Sequence, residues 1–501
     1  MNLDAQILFK NALDCISQSN LEAAEALLNK ALLANPNNDE ILRLLSVVAA
    51  LRLDHSKAIE LIDQAILVAP DNGIAHSNRG NVLQALGRYE DAISSFDQAI
   101  SLLPDYAEAY NNKGNALQDL KRFDEALAWY DKAIAIEPNY VEAYCNKGNA
   151  LEWLRRHNEA MENFDKATSI NPQYTDAYWQ KAMNQLAGGN FELGWRNYEA
   201  RWVKSNPVIF QYSDIARLEN TENLNGKKVL VWAEQGLGDT LQFCRYVKLL
   251  WVKGAQVTLI VPQALIRVLD SLQEFCRVIP MGQNLDERFE FQTPLMSLPL
   301  LFSTNIDSIP AEVPYLFPPR VISKSIQDLV KPSSNLKVGI VWSGGFRAIH
   351  SDGHADFHRR NVELEQIADL KEIQGIDFYS LQKGDPAESE LIAKKNELWP
   401  SLINCAHLIH DFSDTAALIE SMDLIISVDT STAHLAGALG KSVWILNRYD
   451  SCWRWLLGQE QSPWYPTAKI YQQKNIANWA EVIERVKADL SDLAQKYSKT
   501  R

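Results

Sequence analysis

The chain is 501 residues long, enough for two or three domains, and nearly half of it is hydrophobic, enough for a large core. Its net charge is −14, with 28 acidic against 19 basic side chains before residue 206, so no basic stripe is present to grip a nucleic-acid backbone. No apolar run approaches the roughly 18 residues of a membrane span, the start MNLDAQILFK lacks a leader pattern, and the six cysteines show neither metal nor disulfide spacing, so a cytoplasmic setting is the expectation.

The first part of the chain is a repeat. Proline recurs at Pro36, Pro70, Pro104, Pro138 and Pro172, a period of 34. Alanine keeps the same beat from Ala31 to Ala167 and from Ala24 to Ala160, and Gly80, Gly114 and Gly148 join it. Aromatic residues hold two further registers, Tyr110, Tyr144 and Tyr178 in one and Phe96, Tyr130, Phe164 and Tyr198 in the other. This is the tetratricopeptide pattern. Each unit is predicted as a helix hairpin whose alanines allow close packing and whose proline ends the second helix. Five full units run over about 5–174, and a sixth, about 175–202, has drifted: Gly194 and Arg201 stand where alanines are due. Such drift marks a junction with a neighbouring domain.

A polar stripe repeats inside the units: Asn78, Asn81 and Gln84, then Asn112, Asn115 and Gln118, then Asn146, Asn149 and Glu152. Spacing of three puts each set on one face of the first helix of its hairpin. An amide donates and accepts, so such a face can hold an extended peptide of any sequence in a concave groove. A solvated helix face has the same pattern, and both readings stay open.

From Gly226 the text changes to strands alternating with helices. Val229–Trp232 is a first strand, Glu234–Asp239 a glycine-rich turn, Thr240–Trp251 a helix and Val257–Val261 a second strand, with short strands near Val278 and Phe289. Proline-rich text over Ile309–Pro319 and again over Pro332–Asn335 reads as a linker. A second α/β unit starts at Val338–Trp342 with the turn Ser343-Gly344-Gly345, and its next strand, Phe378–Leu381, leads into Gln382-Lys383. Asp423–Asn447 then reads as strand, tight turn, helix and strand. The helix is predicted from about Ser431 to Leu439, stopped by Gly440. Asp429-Thr430-Ser431-Thr432 lies where free N–H groups and a helix dipole meet, which suits a phosphate; an ordinary helix cap fits the same residues. A tail helix spans about Trp479–Tyr497. His350, His354 and His358 with Asp352 and Asp356 invite a metal, but their spacing and surroundings read as a loop, and none is expected. Trp453, Arg454, Trp455, Trp464 and Tyr465 cluster late in the chain, as core or as a stacking surface for a base.

The domains expected are therefore 1–205 for the repeats, 206–225 for a linker, and two Rossmann-like units at 226–335 and 336–501. Open α/β sheets bind ligands at the carboxyl ends of their strands. Two such units facing one another match the GT-B glycosyltransferase architecture, so the fold class is an α-solenoid followed by an α/β GT-B fold.

GLGDTLQF (236–243) and SVDTSTAHLAGALGKSVW (427–444) resemble the lipopolysaccharide heptosyltransferases, glycosyltransferase family 9. RNVEL (360–364), SLQKGD (380–385) and SPWYPT (462–467) resemble the bacterial branch in which tetratricopeptide repeats precede such a domain. The layout is also similar to O-GlcNAc transferase, whose repeats carry an asparagine ladder. The resemblance implies an inverting, metal-independent transfer of a sugar from a nucleotide-sugar to an acceptor, a protein presented by the repeats, with no cofactor. It maps the base onto Asp239, which also fits a helix N-cap. It maps donor binding onto Gly238, Ser343, Gly344, Gln382, Asp429, Thr430, Ser431, Thr432 and His434, the last able to bond a phosphate or ribose or simply to pack. Arg360, where heptosyltransferases usually offer lysine, is the expected cation for the leaving diphosphate, with Lys383 as the alternative. A transferase acting on a glycan or lipid-linked saccharide, and a non-catalytic scaffold, are the rival readings.

Overall fold

A computed structural model describes residues 3–345 and 360–499, and its chain forms two compact units, Met1–Lys181 and Ala182–Arg501. The histidines and aspartates between residues 350 and 358 lie outside the described residues.

The first unit is an array of helix hairpins: Leu3–Ser17 with Leu21–Ala34, Asp39–Leu51 with His55–Val68, Gly73–Ala85 with Tyr89–Leu102, Ala107–Asp119 with Phe123–Ile136, and Val141–Trp153 with His157–Ile170. Two sequence registers meet inside each of the last three of these hairpins. A Cβ added at Gly80, Gly114 or Gly148 would fall within the ring of Phe96, Tyr130 or Phe164 respectively. The glycine on the first helix is thus the space into which the aromatic of the second helix packs. Helix starts are capped where the text offers an oxygen: Asn20, Asn38, Asp54 and Asn72 each accept a backbone N–H three residues on.

The sixth hairpin, Thr175–Ala187 and Phe191–Tyr198, straddles the division between the units. Its second helix belongs to the α/β unit: Phe191 and Trp195 pack against Trp464, and Trp195 also against Phe243 and Trp453. Arg201, where the repeat pattern calls for alanine, is fully buried there. Its guanidinium donates to Glu199 (2.7 Å), Glu234 (3.1 Å) and Ser297 (2.7 Å). The chain therefore divides inside the sixth hairpin, not after residue 205, because this helix shares the core of the second unit.

The second unit carries two all-parallel sheets. The first contains β1 (Lys228–Trp232), β2 (Gln256–Val261), β3 (Cys276–Pro280) and β4 (Phe291–Pro294) in the order β3-β2-β1-β4. The second contains β5 (Leu336–Val341), β6 (Ile376–Ser380), β7 (Ile403–Asn404), β8 (Leu424–Val428), β9 (Val443–Asn447) and β10 (Ala468–Gln472) in the order β10-β9-β8-β5-β6-β7. Strands β8 and β9 are buried along their whole length, as unbroken apolar runs in a parallel sheet must be. The tail helix Trp479–Lys499 covers one face, with Val482, Ile483, Val486 and Leu490 in the same core as Val338, Ile340 and Leu424. The chain order reverses between β5 and β8, and the strand ends flanking such a reversal leave a crevice.

The helix predicted over Thr240–Trp251 is two helices, Leu237–Phe243 and Tyr246–Val252. They break where the buried Arg245 turns to reach Trp464 O (2.8 Å) and the Tyr315 hydroxyl (2.8 Å). The proline-rich stretch is not a free linker. Tyr315 and Leu316 donate their backbone N–H groups to Ala438 O, at the end of the helix Ser431–Ala438.

Candidate functional site

The site is assembled from strand-end turns of both sheets. After β1, the chain enters Gly236-Leu237-Gly238-Asp239; after β8, it enters Asp429-Thr430 and the helix Ser431–Ala438. These turns face each other. A Cβ at Gly238 would lie 2.8 Å from Cδ2 of His434 and 3.6 Å from Cα of Ser431. Glycine at 238 leaves the room that the His434 ring takes up; the Ser431 backbone stands at ordinary contact distance.

Asp239 does what its place in the helix demands: Oδ2 accepts the Gly236 N–H at 3.0 Å. Its other oxygen is paired with the Arg454 guanidinium, which arrives on the loop after β9. Both side chains are mostly buried. Burial opposes the charge on Arg454, and Asp239, Cys452 and Tyr198 together outweigh it, so the guanidinium pKa is raised. Arg454 was visible in the sequence only as part of an aromatic cluster; nothing in the local text paired it with a residue 215 positions earlier.

His434 is buried one turn into its helix. Nδ1 lies 3.0 Å from the Tyr465 hydroxyl, Nε2 lies 3.8 Å from Asp429 Oδ1, and the ring stacks on Trp455 at 5.0 Å. Burial lowers its pKa to about 4, with Asp429 opposing the shift, so the imidazole is neutral at ordinary pH. Thr430 begins the helix in an extended conformation, and its hydroxyl pairs with Ser427 Oγ at 2.9 Å. Ser431 and Thr432 are half-buried in the first turn.

Beside this, β5 pairs with β8 so that Val341 is level with Ser427, and the Ser343-Gly344 turn lies next to Asp429 in the sheet order. Gln382 clamps that turn. Its Oε1 accepts from Trp342 N (3.2 Å) and Ser343 N (3.0 Å), and its Nε2 donates to Ser343 O (2.9 Å). Expected to hold donor, the Gln382 amide instead spends both ends on the backbone. Gly344 donates its N–H to Asn361 Oδ1 (2.8 Å), a partner that no pattern in the text singles out. Arg360 comes to the same turn: its Nη2 donates to Gly345 O at 3.2 Å, and a Cβ on Gly344 would run into its guanidinium. Lys383 does not join them. Its ammonium is held by Glu388 (3.2 Å) and by Ala406 O (3.1 Å), beyond β7 on the far side of β6.

Glu234, which opens the first turn, is also committed elsewhere. It accepts from Arg201 and from Met296 N at 3.1 Å each. Burial pushes its pKa up to about 7 while Arg201 opposes the shift. The aromatic cluster after β9 is core: Trp453, Trp455, Trp464 and Tyr465 are all buried.

In the repeats the asparagines form a bonded chain. Asn146 Nδ2 donates to Asn111 (3.0 Å), Asn111 to Asn112 (3.2 Å) and Asn112 to Asn81 (3.1 Å). Asn111, one place off the predicted stripe, is buried and links two repeats. Asn115 accepts the Tyr130 hydroxyl at 2.9 Å, and Asn78 and Asn149 are half-buried on the same face of their helices. An amide has two N–H groups and two lone pairs, so a ladder bond at each end does not exhaust the half-buried Asn112.

Among the described residues no helix is long and apolar enough to cross a membrane. Residues 9–74 and 77–141 match one family model described as tetratricopeptide repeat, and residues 141–174 match a second of the same description. The chain is similar to Protein FlbA of Caulobacter vibrioides (strain ATCC 19089 / CIP 103742 / CB 15), at 28% identity over 341 residues. That match takes in 62% of this chain and 54% of FlbA, so the chain spans about half the length of the curated relative it matches. Among solved structures it is similar to MamA (26% identity, 32% of this chain and 95% of that one, TM-score 0.29). It is also similar to YrrB, described as a TPR protein with an unusual peptide-binding site (25%, 36% and 92%, TM-score 0.29). A third is TTC0263 of Thermus thermophilus, described as a thermophilic TPR protein (22%, 36% and 99%, TM-score 0.34). The repeats of this chain are thus tetratricopeptide repeats, followed by an α/β region of parallel sheets.

Proposed function

We propose that the α/β unit is a GT-B glycosyltransferase that moves a sugar from a nucleotide-sugar to an acceptor, with inversion and without a metal. In this reading the acceptor is a protein presented by the repeats. One observation carries it: the Gly236–Asp239 turn of one parallel sheet lies against the Asp429–His434 turn of another. A transferase of two sheets needs such a meeting of strand-end loops. In this reading the helix Ser431–Ala438 turns its N-terminal amides and the Thr430, Ser431 and Thr432 hydroxyls to the diphosphate. Arg360 offsets charge on the leaving group, and Asp239 takes the acceptor proton once Arg454 has released it. The likeness of the 236–243 and 427–444 segments to heptosyltransferases supports the reaction class. The tetratricopeptide repeats support a protein partner.

A non-catalytic scaffold is the second reading, and the occupied state of the ionisable groups favours it. Asp239 is held by Arg454 and Gly236, and Lys383 by Glu388. A thermal-shift panel of nucleoside diphosphates with the full chain separates the two. A ligand at one hundred times its Kd stabilises by about 2.7 kcal/mol. One nucleotide raising the melting temperature favours the transferase, and no shift with any of them favours the scaffold. In the first case Asp239→Asn is expected to keep the shift and to abolish sugar release; sugar release surviving in that variant removes Asp239 as the base.

A further inference from the structure

Phe191–Tyr198 and the tight turn Glu199–Trp202 descend from the repeat pattern, but their buried side chains serve the sheets. Trp195, Tyr198 and Arg201 follow one another at a spacing of three, so they share one face. All three are buried. Tyr198 keeps the aromatic register of Phe96, Tyr130 and Phe164, which in the repeats pack into the space beside a glycine. In the sixth unit Ala182 takes the glycine place.

Tyr198 reaches two loops that come from different sheets. Its hydroxyl lies 2.7 Å from Gln235 Nε2, on the turn after β1. Its ring meets Trp453, on the loop after β9, edge-on at 6.0 Å. Gln235 directly precedes Gly236, whose N–H donates to the Asp239 carboxylate at 3.0 Å. Trp453 directly precedes Arg454, and its ring lies 4.3 Å from that guanidinium. Both sides of the Asp239–Arg454 pair therefore rest on contacts of one phenol. Its neighbours reinforce each contact: Trp195 packs on Trp453 at 5.3 Å, and Arg201 bonds Glu234, the residue before Gln235. Burial pushes the Tyr198 phenol up, so it enters as a neutral hydroxyl. A hydroxyl can donate or accept, so the tie to Gln235 holds whichever end of the amide faces it.

We infer that Tyr198 is a positioning residue of the candidate site: bound to Gln235 by its hydroxyl and to Trp453 by its ring, it sets how Asp239 and Arg454 meet. An ion pair that joins two loops keeps its geometry only as far as the loops are held. The consequence for chemistry rests on the transferase reading, in which Arg454 releases Asp239 during turnover.

The test uses the full chain labelled with 15N-arginine, with the Arg454 guanidinium signal assigned by its loss in Arg454→Lys. Tyr198→Phe keeps the ring and removes the hydroxyl, and it is expected to move the Arg454 signal. Gln235→Met, which removes the other end of the tie, is expected to move it the same way, and the double variant to move it no further. Phe378→Leu, which loosens the core of the second sheet away from this helix, is expected to leave it in place. A folded Tyr198→Phe with the wild-type signal overturns the role. So do additive shifts in the double variant, or an equal shift in Phe378→Leu. If Tyr198→Phe does not fold, Gln235→Met decides alone, and an unmoved signal in it overturns the role. In a second arm, sugar release is measured from uridine, adenosine and guanosine diphosphate sugars. Tyr198→Phe is expected to lower kcat about tenfold, the weight of one hydrogen bond, with KM unchanged. A wild type that releases sugar from none of them sinks the transferase reading, and the positioning role then stands or falls on the Arg454 signal. A moved Arg454 signal with kcat unchanged sinks the consequence for chemistry.

Discussion

Glycine at three repeat positions acts by absence. The ring of Tyr130 occupies the space beside Gly114, so Gly114→Ala forces the ring or the helix to move. Overpacking of this kind costs about 1–3 kcal/mol, to be read as a lowered midpoint in urea. Two buried titratable groups near the site act in opposite directions. His434 has its pKa lowered to about 4, so below the unfolded value of 6.5 the unfolded chain binds the extra proton. That contribution is complete above about pH 6.5 and is lost as pH falls through 4, up to about 3 kcal/mol. Glu234 has its pKa raised to about 7 from 4.5, so the native state holds the proton longer. Its contribution is present below about pH 4.5 and is lost as pH rises through 7. The two slopes oppose each other between about pH 4.5 and 6.5. Unfolding of His434→Gln followed against pH should therefore lose stability toward neutral pH more steeply than wild type, and Glu234→Gln should lose it more steeply toward acid.

At the scale of elements, ion pairs recur with the repeat: Arg79–Asp63, Lys113–Asp97, Lys147–Asp131 and Lys181–Asp165, at 2.5–2.7 Å. Each aspartate is about half exposed, so Lys147→Ala should cost less than about 1 kcal/mol in denaturant. The asparagine chain is a different case. Asn112→Ala with Asn146→Ala cuts all three of its links, and peptide binding measured on arrays should weaken about tenfold if these amides hold a ligand. Long, strongly patterned elements were legible in the sequence: the repeat hairpins, β8 over Leu424–Val428, and the helix starting at Ser431 and closed by Gly440 at φ +70°. Strand β7 has two residues, too few for any period, and β10 mixes Lys469 and Gln472 into its run. The turns of the site could be located because strand ends and glycines mark them. Their chemistry could not, because Arg454 on Asp239, Tyr465 on His434 and the Gln382 clamp are contacts between distant positions that leave no local pattern.

Over the whole molecule, the two compact units rest on separate cores. Calorimetry of the full chain should resolve more than one transition, as multi-domain chains do. Gly114→Ala should lower the transition of the repeats. Trp232→Ala, which empties a fully buried site on β1, should lower the other by about 3–5 kcal/mol. A single transition moved equally by both would show that the units melt together.

Arg201 has a practical consequence for dissecting the molecule. A shortened chain beginning at residue 206, where the text suggests a clean start, would leave Glu234 and Ser297 enclosed without the guanidinium that satisfies them. It would also strip Trp195 from the aromatic nest around Phe243 and Trp464. Fragments meant to carry the α/β unit should begin at or before Ala182, and those cut later are expected to emerge as insoluble material.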